Sequence, residues 1–589
     1  MSERTVPNSS SQDVVSFDIL VDGKTLDPGY QVISIDTHKR VNRIPTARVI
    51  LRDGDASTET FSISESKDLI PGKEIQINLG RDQKHKTVFK GLILKHAIKI
   101  RENGESMLII EARDKAVKMT IGRHSKYFEK KKDSDVIGEL ISEHGLSKEV
   151  EATKLTHDEL VQYHSTDWDF MLSRAEVNGM LVFVDDGQVS VKAPDASGKE
   201  TLTLHYGESV IALEAEMDAR YQFKASKARS WDYKTQKEVS AKGTAPKLDT
   251  AGNINGAKLS DAIGLQEFEL MHSGQVIKEE LKAWADACLT KSRLAHIRGS
   301  AKIKVGFNQI KPGDLLKLEG VGARFNGLLF ITAVRHEIGD GEWDTHIQFG
   351  LNPEWFSQEP DILTPPAAGL LPGIRGLQIG KVVKLEKDPD GEDRIQVKMP
   401  MVDPNAKGIW ARVASLDAGK ERGFFFRPEL DDEVIVGFIN DDPRDAVVLG
   451  MLHSSKLPAP LKASDQNHEK LIQTRSELRV HFHDETKTIT IDTPAGNSIL
   501  MDEEGKTIVI EDQNQNKIAL EQGGITLDSP KDINLKAGGK INIEATADLS
   551  MKGTNISSKA NAALKAEGAT AKLAGSGITE IKGSLVKIN

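Results

Sequence analysis

The chain has 589 residues, 28% of them charged, with a formal net charge of −10. That balance argues against a nucleic-acid partner, which favours a basic footprint, and aromatics at 5% are sparse for a stacking surface. A single cysteine, Cys288, excludes an intrachain disulfide framework and a thiolate zinc cluster, and no run approaches the ~18 consecutive apolar residues of a membrane-crossing helix.

At about 150 residues per domain the length corresponds to roughly four units. Residues 1–14 are polar and Ser-rich and read as a disordered tail. Met1 to Asp13 has no apolar signal core, so synthesis in the cytoplasm and export by some other route are expected. From Val15 to about Lys118 period-two pairs such as Phe17/Ile19, Val49/Leu51 and Ile75/Ile77 read as strands of a barrel or sandwich. Two short helices follow. One spans Ser134 to Glu143 with Ser134 as N-cap, and the other spans residues 166–179, capped by Thr166 or Asp167 and ended by Gly179. A third helix, about Ser273 to His296, carries the stripe Ile277, Leu281, Trp284, Ala285, Cys288, Leu289 and Ala295, which makes Cys288 a core residue rather than a reactive thiol. Strands resume to about Gly350, so residues 15–358 form one block of β-barrels with inserted helices. Residues 359–376, with Pro360, Pro365, Pro366, Pro372 and three glycines, are a linker. Residues 377–455 contain about five short strands, which fits a small OB-type barrel. A polar connector over 456–477 leads to the last segment, 478–589.

That segment is a ladder of apolar pairs with one residue between them: Ile489/Ile491, Ile499/Met501, Ile508/Ile510, Ile518/Leu520. From Ile525/Leu527 the pairs recur every eight residues, at Ile533/Leu535, Ile541/Ile543 and Leu549/Met551, and then loosen through Ile556, Leu564, Leu573, Ile581 and Ile588. Alternation puts both members of a pair on one face. One strand plus one corner, repeated, is the pattern of a β-solenoid or β-helix. A single chain with three octads per turn satisfies it, and so do three chains wound round one axis. Fourteen octads at about 4.8 Å per stacked strand would reach on the order of 70 Å.

No stretch carries a convincing catalytic or metal motif. The turn Asp388-Pro-Asp-Gly-Glu-Asp393 lacks the spacing of a calcium loop and reads as a hairpin. His481 and His483 share a strand face and are the only metal candidates, but Leu478, Val480 and Phe482 as the inward set would point both to solvent. His336-Glu337 has no second zincin histidine. Gly320, Gly322 and Gly327 have hairpin rather than dinucleotide-loop spacing, and the run Glu129 to Asp133 reads as a solvated face. No cofactor is expected, and the protein reads as a non-enzyme.

The most specific stretches are Asp388-Pro389, the strand Trp410 to Val413, Pro428 to Val434, and Asp442 to Gly450. With the ladder behind them they resemble VgrG, the spike protein of type VI secretion systems and related contractile injection particles, and the fused hub and spike of contractile phage tails. Asp431 stands where that family usually has Gly. The resemblance is strong over 377–589 and looser over 15–376. It implies a mainly β fold: a hub of barrels in a pseudo-hexameric ring, an OB-fold barrel, and a C-terminal triple-stranded intertwined β-helix needle, in a homotrimer. It places Ile525, Leu527, Ile533, Leu535, Ile541, Ile543, Leu549 and Met551 in the trimer core. The implied partners are the inner tube protein, baseplate components, a PAAR-type tip protein touching Leu585, Ile588 and Asn589, and effector cargo. A target membrane would be met only on piercing. A secreted enzyme or adhesin on a β-solenoid scaffold is the alternative.

Overall fold

A computed structural model describes residues 14–588, except 103–104, 249, 304 and 360–361. Residues 1–13 of the expected tail, Pro360 of the linker and the tip residue Asn589 lie outside the described residues. The chain divides into two compact units, residues 1–376 with 438–445, and residues 377–437 with 446–589.

The first unit is built on one 13-stranded sheet. Its strands obey the alternation in their sequence. In Glu74–Arg81 the side chains of Ile75, Ile77 and Leu79 are fully buried, while Gln76 and Asn78 between them are half-buried. Burying each such aliphatic side chain contributes about 1.5–3 kcal/mol. The 13-residue strand Gly327–Gly339 joins two cores. Leu329, Ile331 and Val334 face one, which also holds Leu316 and Phe349, and Ile338 faces the other, with Ile35, Phe89 and Trp343. A bulge between Ile331 and Ala333 inserts one residue, which switches the inward positions from odd to even numbers. Gly306 lies against Trp343: a Cβ there would sit 1.7 Å from the indole, so only glycine fits.

The helices pack where expected, with shifted ends. Asp133–Glu143 starts one residue early, and its N-cap position is Lys132 rather than Ser134, because the Asp135 carboxylate accepts the Lys132 N–H at 3.2 Å. Asp167–Val177 is capped by Thr166, whose Oγ1 accepts the Asp169 N–H at 3.0 Å, a contact of about 1 kcal/mol. The third helix is Lys278–Leu294. Leu281, Ala285, Cys288 and Leu289 are buried, but Ile277 sits at its N-cap, 46% exposed.

In the second unit, the strands Gln378–Lys384, Ile395–Lys398, Ile409–Val413, Ala446–Met451 and Glu433–Phe438 close into a barrel. Val382, Ile395, Val397, Ala411, Val434, Val436, Ala446 and Val448 fill it. These are small or β-branched side chains, as a five-strand interior requires. The overall class is mainly β.

The ladder follows as a seven-stranded sheet from Glu469–Gln473 to Gly524–Asp528, each strand antiparallel to the next. Its first strand lies within the stretch expected to be connector. Pairs before Ile525 are nine or ten residues apart. Five-residue strands then leave four or five residues per turn, enough to reverse the chain, with Lys487, Gly496, Lys506 and Gln515 at positive φ. Ile525 follows Ile518 by seven, and the two-residue turn 522–523 there still reverses the chain. From 529 to 588 the described residues form no strand and no helix, and every residue from 530 to 588 is exposed. Among the described residues the chain does not coil on itself at three octads per turn.

Candidate assembly surface

The ladder presents one sheet face to solvent, built by register. Phe482 stands opposite Ile489, Ile489 opposite Met501, Met501 opposite Ile508, Ile508 opposite Leu520, and Leu520 opposite Ile525. Two residues along, Val480, Ile491, Ile499, Ile510, Ile518 and Leu527 form a second column. Neighbours in a column stabilise the sheet by about 0.2–1 kcal/mol per pair. Their outer surfaces stay uncovered: Ile491, Met501, Ile508, Ile510 and Ile518 are 40–43% exposed, Leu527 51% and Ile525 73%. Each column borders a groove of about 740 Å³. Contiguous apolar exposure on this scale marks an interaction surface. Ile533, Leu535, Ile541, Ile543, Leu549 and Met551 are 52–68% exposed, and Leu585 and Ile588 reach 73% and 87%. None of these eight residues lies in a strand of its own chain.

Polar groups confine this surface. The Arg479 guanidinium pairs with Asp492 on the next strand, and the Asp512 carboxylate accepts the Asn514 and Asn516 N–H groups at 2.8 and 2.9 Å, closing its turn. Hydrogen bonding to Asn516 leads the effects that hold the Asp512 carboxyl below the usual range.

His481 and His483 lie on the opposite face from Phe482 and are half-buried, not open to solvent as expected. His468 and His483 stack at 6.1 Å, His481 meets His483 edge-on at 6.2 Å, and Glu469 Oε1 lies 3.3 Å from His481 Nε2. Among the described residues no three histidine, cysteine or carboxylate side chains converge as metal ligands. Cys288 is 3% exposed, and burial pushes its thiol up to about 12. His336 is buried, and desolvation lowers it to about 3. Gly320, Gly322 and Gly327 all have positive φ, as hairpin and turn glycines do. The Asp388 carboxylate is occupied by its own turn, accepting the Glu392 N–H at 2.9 Å and the Arg394 guanidinium at 2.6 Å.

The run 129–133 is not wholly solvated, because Asp133 is 1% exposed. Burial alone would raise its carboxyl. Hydrogen bonds from His157 at 3.0 Å and Arg174 at 2.6 Å, with Asn178 at 2.9 Å, outweigh that and hold it well below the carboxylate range. Arg174 also reaches Glu280 at 3.1 Å on the third helix. A similar centre at Asp167 accepts from Gln162 and contacts His124 and His144 at 2.8–3.0 Å. Neither network leaves a local sequence signal, since Asp133 and Arg174 are 41 residues apart. Both brace helices and expose no nucleophile.

Residues 11–340, more than half of the chain, match the family described as the Alg8 N-terminal domain. Residues 378–453 match the type VI secretion system/phage-baseplate injector OB domain, which is the closed barrel described above. Among solved structures, the chain is similar to the 43 kDa tail protein of prophage MuSo2 from Shewanella oneidensis, with 13% identity, 58% of this chain and 98% of that one covered, and a TM-score of 0.44. It is also similar to the E. coli c3393 protein, a component of the type VI secretion system, with 12% identity, 74% and 99% covered, and a TM-score of 0.38. A Francisella PdpA-VgrG complex gives 10% identity, 88% of each chain covered and a TM-score of 0.38. At TM-scores below 0.5 these three likenesses carry no weight of their own. No helix among the described residues is long and apolar enough to cross a membrane.

Proposed function

The chain belongs to the Alg8 N-terminal domain family by residues 11–340, and we infer its function from the match of residues 378–453 to the type VI secretion system/phage-baseplate injector OB domain. The chain is a structural protein of the VgrG spike type. In our reading it works as a homotrimer that caps the inner tube of a contractile injection system and pierces a target envelope when the system fires. The observation that carries this is the uncovered double column of apolar side chains directly after the injector barrel. Three copies supply what one lacks, a cover for the apolar face and backbone partners for residues 530–588. The first unit is the hub that meets tube and baseplate. Leu585 and Ile588 offer apolar contact to a PAAR-type tip protein, and cargo would travel with either end.

The mechanism is mechanical and uses no reacting group. Ile533→Asp combined with Ile541→Asp tests it. In a three-fold core the pair would bury six charges, two from each of three chains, and each unpaired buried charge costs several kcal/mol. The double variant is expected to lose assembly while keeping a folded first unit and barrel. Assembly at unchanged heat resistance would contradict the inward placement.

A further inference from the structure

A groove of about 690 Å³ in the first unit gathers more positive charge than any pairing in the fold explains. Its sheet wall is set by register. His38 stands opposite Thr46, and Thr46 opposite Arg113, so the three lie in one row across three strands, with Arg40 two residues beyond His38. The facing wall is the start of the helix Asp167–Val177, with Thr166, Trp168 and Asp169, and beside it Gly122 and Arg123. Ile44, Trp168 and Phe356 give the groove an apolar floor.

Four guanidiniums line it, and two are committed. Arg43 pairs with Glu359 at 2.6 Å, and Arg123 donates to the His164 carbonyl at 3.0 Å. Arg40 and Arg113 are exposed, and among the described residues neither has a hydrogen-bond or ion partner. His38 is held below its ordinary range, first by desolvation and then by the field of Arg40 and Arg335 against that of Asp36. The first unit thus keeps two free planar donors beside an apolar floor, in a chain whose net charge is −10.

We propose that this groove docks an acidic segment of a partner protein, with carboxylates on Arg40 and Arg113 and an apolar side chain against Trp168 and Phe356. Guanidinium binds carboxylate in a two-point fork, so charge and geometry agree. A nucleic acid fits less well. Sequence-independent binding rests on about 6–10 phosphate contacts, and two free guanidiniums supply too few. The inference goes beyond the spike reading and does not depend on it.

The test uses the full-length protein and a fluorescein-labelled hexapeptide, Glu-Leu-Glu-Asp-Leu-Glu, followed by anisotropy at low and at physiological salt. Binding is expected to weaken with salt, and to weaken about tenfold or more in Arg40→Ala/Arg113→Ala. Arg40→Lys/Arg113→Lys, which keeps charge but not the fork, should fall between. The double alanine variant is expected to keep wild-type melting and oligomeric state. Absence of peptide binding, equal binding by wild type and double variant, or tighter binding of a labelled dT hexanucleotide would overturn the proposal. Loss of oligomerisation in the double alanine variant would assign the groove to a neighbouring copy and overturn it as well. Failure of the spike reading would show in the ladder variants instead, which leave this groove untouched.

Discussion

At the scale of single residues, Asp431 explains why its position favours glycine. Its φ is +71°, in the left-handed region that side chains resist, and its N–H donates to the Val382 carbonyl at 3.0 Å as the turn closes on the barrel. Asp tolerates this conformation better than most residues and gains an exposed, solvent-screened contact with Lys381 at 2.7 Å. Asp431→Gly should therefore leave barrel stability unchanged or slightly higher, whereas Asp431→Val should lower it by about 1–2 kcal/mol in thermal melts. A valine variant that melts with wild type would show the turn to be unstrained. The buried Asp133 carries a pH dependence of known sign. Its folded pKa lies below the unfolded value, so its contribution is complete above about pH 4 and is lost as pH falls further through the folded value. Asp133→Ala, which removes the closer of the two carboxylates on Arg174 and leaves it Glu280, should cost about 1.5–3 kcal/mol at neutral pH and flatten that part of the acid limb. The Cys288 thiol, pushed up to about 12, should resist iodoacetamide at pH 8 in the folded protein and react only on unfolding.

At the scale of elements, the sequence was most legible where alternation came together with caps and turn residues. The barrel strands, the helix behind Thr166 and the pairing of apolar residues on one ladder face all follow from alternation, caps and turn residues. Turns of two to five residues reverse the chain up to Asp528, whereas the regular octads after it form no strand among the described residues, so spacing alone does not separate the two stretches. Long-range pairings such as Asp133 with Arg174 stayed invisible, because no local pattern announces them. The Arg40–Arg113 groove was equally hidden, since register across three strands assembles it. Residues 530–588 carry the sharpest expectation at this scale. In the assembled protein their amides should exchange slowly with deuterium around Ile533 to Met551, and in a dissociated chain they should exchange at free-peptide rates. Fast exchange in both states would mean that these octads find no partners.

At the scale of the whole molecule, the two units answer different needs. The first buries its own cores. The second closes a barrel and then leaves its remaining apolar side chains open. A chain that keeps so much aliphatic surface uncovered over the ladder has its stability tied to copy number, so its melting should rise with protein concentration. Sedimentation equilibrium of the full-length protein at micromolar concentration measures that copy number directly. Our account predicts a single species at three times the 64.6 kDa chain mass, and a species at 64.6 kDa would contradict it.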